Sequence, residues 1–267
     1  MSSTTGLTVW VQGIGLLGPG LDSWPAALDV LRGTAPHVSR PTVLAPPARL
    51  PPAERRRAGA AVKLALAVAD EAVAQARVDA ATLATPSPVV SPTRFTNSVH
   101  NAASGCWHIA VASQATSTSL CAFDASFGAG LIEAATCVAT SGAPVLLVAS
   151  DSPYPEPLHS TRPLPDHFGL ALLLTPAETE RSLAALTLRL THPTGAAARL
   201  EGTAASTCRD PSLEALRRAI PAAAALPLLV ALARGEAAQR VAISGLATPG
   251  LQIDVARVMR AAPVAAL

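Results

Sequence analysis

The sequence predicts an α/β protein with a layered architecture and a largely buried central sheet. Apolar strand-like runs alternate with segments of helical periodicity along the whole chain. Two of those runs, "PVLLVAS" and "FGLALLLTP", are continuously apolar, which suits strands covered on both faces rather than on one. Half of the 267 residues are apolar and only 14% are charged, enough to build one sizeable core.

Taken in order, "LTVWVQ" from Leu7 alternates as a strand and runs into "GIGLLGPG". A helix, "WPAALDVLR", follows with Asp22 or Ser23 as its N-cap. After the proline-rich "APPARLPPAERRR", a second helix is expected from about Ala53 to Ala76, with Val62, Leu66, Ala69 and Val73 on one face. "SPVVSPTRF" is a short strand candidate flanked by prolines, and a helix is expected over His100 to Ser113. Thr118 to Asp151 then reads as strand, sharp turn, small-residue helix and strand, the arrangement that mounts a nucleophile at a helix N-terminus. "FGLALLLTP" and "SLAALTLRLTH" read as neighbouring strands, "PSLEALRRAIPAA" and "LPLLVALARG" as helices, and "QRVAISGL" and "LQIDVARV" as closing strands.

Charge and cysteine usage narrow the function. The net charge is +2 and the only basic run is Arg55, Arg56 and Arg57, so the electrostatic footprint of a nucleic-acid binder is missing. Neither a secretory leader nor a 20-residue apolar span is evident, and a cytoplasmic protein with no membrane span is expected. Cys106, Cys121, Cys137 and Cys208 have no metal-ligand spacing; three of them are expected to be small buried hydrophobes, and no metal or cofactor is indicated.

Several motifs invite chemistry. "GIGLLG" (Gly13 to Gly18) has the dinucleotide fingerprint after a strand, but Pro19 and Gly20 break the chain where the phosphate-binding helix should open. The simpler reading is a tight turn at a strand end. "DASFG" (Asp124 to Gly128) has the spacing of the nucleophile elbow with Asp in place of the first glycine. Ser126 would then need a histidine, with His159, His167 and His192 available; otherwise Asp124 simply caps the helix and Ser126 sits in its first turn.

With those residues in view, the chain resembles the N-terminal half of a β-ketoacyl synthase, a thiolase-fold family. The resemblance begins at "VWVQGIGLLGPGLDSWPAALDVLRG" and runs through "RRRAGAAVKLALAVADEAV", "RFTNSVHNAASGCWHIA" and the elbow to "HFGLALLLTP". More narrowly, "PTRFTNSVHNAASGCW", "STSLCAFDASFGAGLIEA" and "RPLPDHFGLALLL" are similar to the short chain-length-factor-like subunits of bacterial aryl polyene gene clusters. It implies a thiolase-like fold with a mixed sheet and helices on both faces. Residues 1–190 would form the ketosynthase-like domain, and residues 191–267 an extension packed on it.

Aligned on the flanking strands, the family's nucleophilic cysteine falls on Asp124, while Cys121 lies three residues earlier, in a strand where it should be buried. The resemblance therefore implies a subunit that does not condense by itself. It would pair with a complete ketosynthase and set chain length in aryl polyene, fatty-acid or polyketide-type elongation, because a carboxylate is a far weaker nucleophile toward thioesters than a thiolate. Phe95, Asn97, His100, Asn101, Phe123 and Phe127 become candidate interface or pocket residues, and Arg55, Arg56 and Arg57 a candidate surface for an acyl carrier protein. Ordinary core packing is the competing reading for each aromatic. The alternative function is an acyltransferase or thioesterase using Cys121 or Ser126. Two departures from the family stand out: a glycine-containing segment expected before "PTRF" is missing, and the last 70 residues carry no family motif.

Overall fold

The computed structural model describes residues 6–83, 101–191, 205–243 and 250–258. Its centre is a six-stranded sheet: β1 (Leu7–Leu17), β2 (Val145–Asp151), β3 (Phe168–Thr175), β4 (Ala184–Thr191), β5 (Ala238–Ile243) and β6 (Gly250–Arg257), in the order β2-β3-β1-β4-β6-β5. All five pairings are antiparallel, so the expected mixed sheet is antiparallel over the described strands. Ala238–Ile243 and Gly250–Arg257 supply two of its strands, in the same sheet as β1.

Helices cover both faces, as the apolar runs require. On one face lie α1 (Trp24–Arg32), α5 (Ser126–Ser141), α7 (Pro211–Ala219) and α8 (Leu226–Arg234). They share a core in which Phe127, Leu131 and Leu229 meet Val9, Val11, Ile14, Leu16, Leu170 and Leu172. The other face carries α3 (Ala60–Ala76), which packs α4 (Ala102–Val111) around Leu66, Val73, Cys106 and Trp107. Two short helices, α2 (Pro52–Arg57) and α6 (Leu158–Thr161), complete the set among the described residues. β3 is buried along its whole length, the expected fate of an uninterrupted apolar strand in a covered sheet.

Three local expectations change. The helix expected from Ala53 to Ala76 is two helices, because Ala58 turns extended (φ −60°, ψ 119°) before α3 starts at Ala60. The strand expected before the elbow is absent: residues 116–122 run without strand pairing, leaving β2 at the edge of the described sheet. The stretch "SPVVSPTRF" lies outside the described residues.

The third change concerns "GIGLLG", which is no phosphate-binding loop: Gly13 to Leu17 form the second half of β1, and only Gly18 opens the expected tight turn, closed by its bonds with Leu21. A Cβ added at Gly13 would sit 2.0 Å from the Ala72 carbonyl oxygen, and one at Gly15 would sit 1.9 Å from that of Val68. The glycines therefore let α3 lie directly on the strand. β4 pairs with β1 only as far as Val11, and α3 serves the edge beyond it. The Ile14 N–H donates to Gln75 Oε1 (2.6 Å) and the Leu16 N–H to Glu71 Oε2 (2.9 Å). Glu71 Oε1 also accepts the Trp24 N–H (2.8 Å) at the start of α1. The register slips by one residue at Gln12, a β-bulge whose side-chain amide donates to Thr179 Oγ1 (2.6 Å).

The caps follow the sequence where a short polar residue precedes a helix. Ser23 accepts the Ala26 N–H, and Gly33 (φ 81°) closes α1. Among the described residues no helix is long and apolar enough to cross a membrane.

Gly15→Ala should cost about 3 kcal/mol, since the strand and a helix carbonyl would have to separate. Gly105→Ala, whose added methyl meets nothing within 4 Å inside α4, should be stabilising by about 0.5–1 kcal/mol in the same chemical-denaturation assay.

Burial pushes the Glu71 carboxyl above its ordinary value of 4.5, although its two accepted N–H bonds pull it back. The folded state then binds this proton more tightly than the unfolded one. The contribution of Glu71 is therefore largest below about pH 4.5 and shrinks as the pH rises through the raised value. Glu71→Gln should remove that slope from the stability-versus-pH curve. At neutral pH it should also lower stability by about 1–3 kcal/mol, because an amide has one oxygen for two buried donors.

Candidate functional site

The turn at residues 122–126 is built as an elbow. Phe123 adopts φ 54°, a left-handed conformation that costs a bulky residue roughly 1–2 kcal/mol. Ser126 holds it there: its hydroxyl accepts the Ala122 N–H (2.9 Å) and donates to the Phe123 carbonyl (2.7 Å). Its one donated and one accepted bond both stay inside the turn, and its proton points at a carbonyl rather than an imidazole. This fits a positioning role for Ser126 and not an activated nucleophile.

Asp124 does not cap α5, contrary to expectation. Its side chain is 62% exposed and forms an ion pair with Arg162, whose guanidinium also lies 3.6 Å over the centre of the Phe123 ring. Arg162 follows α6 and comes from 38 residues downstream, so local propensity gave no sign of it. Cys121, expected to be buried, is exposed, because the strand that would have buried it does not form. Of the other cysteines, Cys106 and Cys208 are buried and Cys137 is half-buried, so two of the four, not three, lie inside.

Around the elbow, a cleft of about 380 Å³ is walled by Asp124, Arg162, Leu164, Arg217, Arg218 and Ile220. Arg217 and Glu214 form a two-pronged pair, both bonds 2.7 Å, with side chains 11% and 15% exposed; Arg218 adds a third bond to the same carboxylate. These contacts hold the Glu214 carboxyl well below the usual carboxylate range. Asp151, at the end of β2, accepts the Ala222 N–H (2.7 Å); burial raises its carboxyl, opposed by that bond and by Arg162 and reinforced by Asp124.

The remaining candidates scatter. Phe127 is 1% exposed and belongs to the core, as the competing packing reading held, whereas Phe123 is 71% exposed. Asn101 precedes α4, and its carbonyl, not its side chain, accepts the Gly105 N–H. Phe95, Asn97, His100 and His192 lie outside the described residues. Arg55 turns inward and donates to the carbonyls of Ala48 (2.7 Å) and Leu50 (3.0 Å). Arg56 and Arg57 stay at the surface, Arg57 beside Glu54.

Ser126→Ala should lower stability by about 1–2 kcal/mol, read as a drop in thermal midpoint, since two hydrogen bonds that hold a strained turn are lost together.

The sequence model of the β-ketoacyl synthase N-terminal domain matches residues 81–223. No curated protein matches the chain. Solved structures do. A ketosynthase (ApeO) in complex with its chain length factor (ApeC) from Xenorhabdus doucetiae matches at 24% identity and TM-score 0.59, covering 94% of this chain and 100% of that one. A β-ketoacyl synthase from Burkholderia phymatum STM815 matches at 13% identity and TM-score 0.60, covering 94% and 99%. The complex AntDE:AntF, a type II polyketide synthase acyl carrier protein with its ketosynthase, matches at 10% identity and TM-score 0.67, covering 95% and 100%. The structural likeness gives the thiolase-like ketosynthase fold, and the sequence match, which spans more than half of the chain, makes this protein a member of the β-ketoacyl synthase N-terminal domain family.

Proposed function

We propose that the chain is a non-catalytic, chain-length-factor-like subunit that heterodimerises with a complete β-ketoacyl synthase. It would act in the cytoplasm, in aryl polyene, fatty-acid or polyketide-type elongation. The observation that carries this reading is the occupied elbow. By the sequence resemblance Asp124 takes the position of the family's thiolate, and Arg162 engages both it and the neighbouring Phe123. A carboxylate neutralised by a guanidinium is poorly suited to attack a thioester.

The surface beside the elbow supports a partner. Leu120 and Phe123 are exposed at the elbow and Tyr154 and Leu158 on the segment between β2 and Arg162, and β2 is half-buried at the edge of the described sheet. Apolar side chains next to a strand edge are the materials of a protein interface. The similar ketosynthase–chain length factor complex is consistent with this arrangement. An acyl carrier protein would meet Arg56 and Arg57, with Arg55 supporting the loop behind them.

Cys121 favours a second reading, an acyltransferase or thioesterase, because its thiol is exposed beside the elbow. Co-expression with the ketosynthase encoded nearest to this chain, size exclusion with light scattering and a malonyl condensation assay separate the two. The proposal expects a one-to-one complex whose condensation rate stays within about twofold on Asp124→Ala. A lone monomer that turns over thioesters and stops on Cys121→Ala would overturn it in favour of the enzyme.

A further inference from the structure

Away from the elbow turn, a second cleft of about 380 Å³ opens between the extended segment of residues 37–41, residues 165–166 and α7. In its wall, His37 Nδ1 lies 2.8 Å from Ser212 Oγ, and His37 Nε2 lies 2.8 Å from the Pro19 carbonyl oxygen. A carbonyl can only accept, so Nε2 carries the imidazole proton. In the neutral ring Nδ1 is then the acceptor and the Ser212 hydroxyl the donor, the geometry of a serine with its base. Asp210 fixes the two partners against each other. Its Oδ2 accepts the His37 backbone N–H (3.2 Å), and its Oδ1 accepts the backbone N–H groups of Ser212 (2.8 Å) and Leu213 (3.1 Å). His37 is 7% exposed and held, whereas Ser212 is half-buried and reaches the cleft.

We propose that Ser212, His37 and Asp210 form a serine-nucleophile site, separate from the elbow, that hydrolyses short acyl esters held in this cleft. Pro41, Pro165, Ala215 and Leu216 offer the acyl chain an apolar wall, and Arg40 brings a positive charge to the cleft. Ser212 Oγ attacks the ester carbonyl as its proton passes to His37 Nδ1. The carbon–oxygen bond to the leaving alcohol then breaks, and the same proton goes to that alcohol. Water, losing a proton to His37, attacks the acyl-serine; the carboxylic acid departs and Ser212 recovers its proton. The Asp210 carboxylate, kept ionised by the backbone N–H groups of His37, Leu213 and Ser212, touches neither ring nitrogen; its nearby charge and the Pro19 carbonyl on Nε2–H stabilise the imidazolium formed in each half.

A biotinylated fluorophosphonate, followed by peptide mapping, tests this on the intact chain, together with hydrolysis of p-nitrophenyl butyrate. Labelling of Ser212 is expected, with at least a hundredfold loss of labelling rate in His37→Gln and of butyrate hydrolysis in Ser212→Ala. Circular dichroism checks that each variant is folded; should His37→Gln fail that check, the Ser212→Ala comparison decides alone. Absence of label on Ser212, labelling that persists in folded His37→Gln, or hydrolysis unchanged by Ser212→Ala would each overturn the proposal. None of these results bears on the condensation assay, so this site and the chain-length reading stand or fall separately.

Discussion

The seating of α3 on the far half of β1 is the contact on which the rest of the structure depends. A strand in mid-sheet that loses its neighbour after Val11 would leave buried N–H groups at Ile14 and Leu16 unpaired, each at a cost of about 1–3 kcal/mol. Gln75 and Glu71 replace the missing strand with side chains, and Glu71 uses its second oxygen to start α1. That is possible only because Gly13 and Gly15 let the helix backbone approach within contact of the strand. The elbow depends on the same scaffold at one remove, since α5 packs against the face of the sheet that α3 does not touch.

On the proposed function, the elbow keeps its shape with an aspartate where the family's thiolate would stand. The strained Phe123 is stabilised by a local serine and by an arginine from outside the turn. A catalytic elbow would use that strain to present a nucleophile to solvent. Here the tip presents an aromatic ring and a paired carboxylate, groups better suited to recognition than to bond making.

Much of the architecture was legible in the residues. The uninterrupted "FGLALLLT" is a strand covered on both faces, and Ser23 caps the helix it precedes. Asp210 likewise caps α7, although nothing in its neighbourhood announced the histidine that shares it. The failures have one cause. "GIGLLG" looked like a break because glycine weakens a strand locally, and the helix that needs those glycines lies more than fifty residues away. Asp124 looked like a cap because Asp favours that position, yet Arg162 takes the carboxylate. Residues 116–122 are rich in serine and threonine and did not hold a strand against β2, so Cys121 remained outside. In each case tertiary contact overrode a local preference.

The bulge at Gln12 also sets how this chain tolerates changes of length. Before it, Val9 and Val11 face the main core; after it, that face passes to Ile14 and Leu16, and the glycines turn toward α3. One extra residue has exchanged odd positions for even ones. Straightening the strand with Gln12 kept in the ladder would drive Ile14 and Leu16 into helix carbonyls and leave two glycines facing the core, whereas losing Gln12 would keep every later residue on its present face. Lineages of this protein should thus keep Gly13 and Gly15 and vary in the length of β1 only at the bulge.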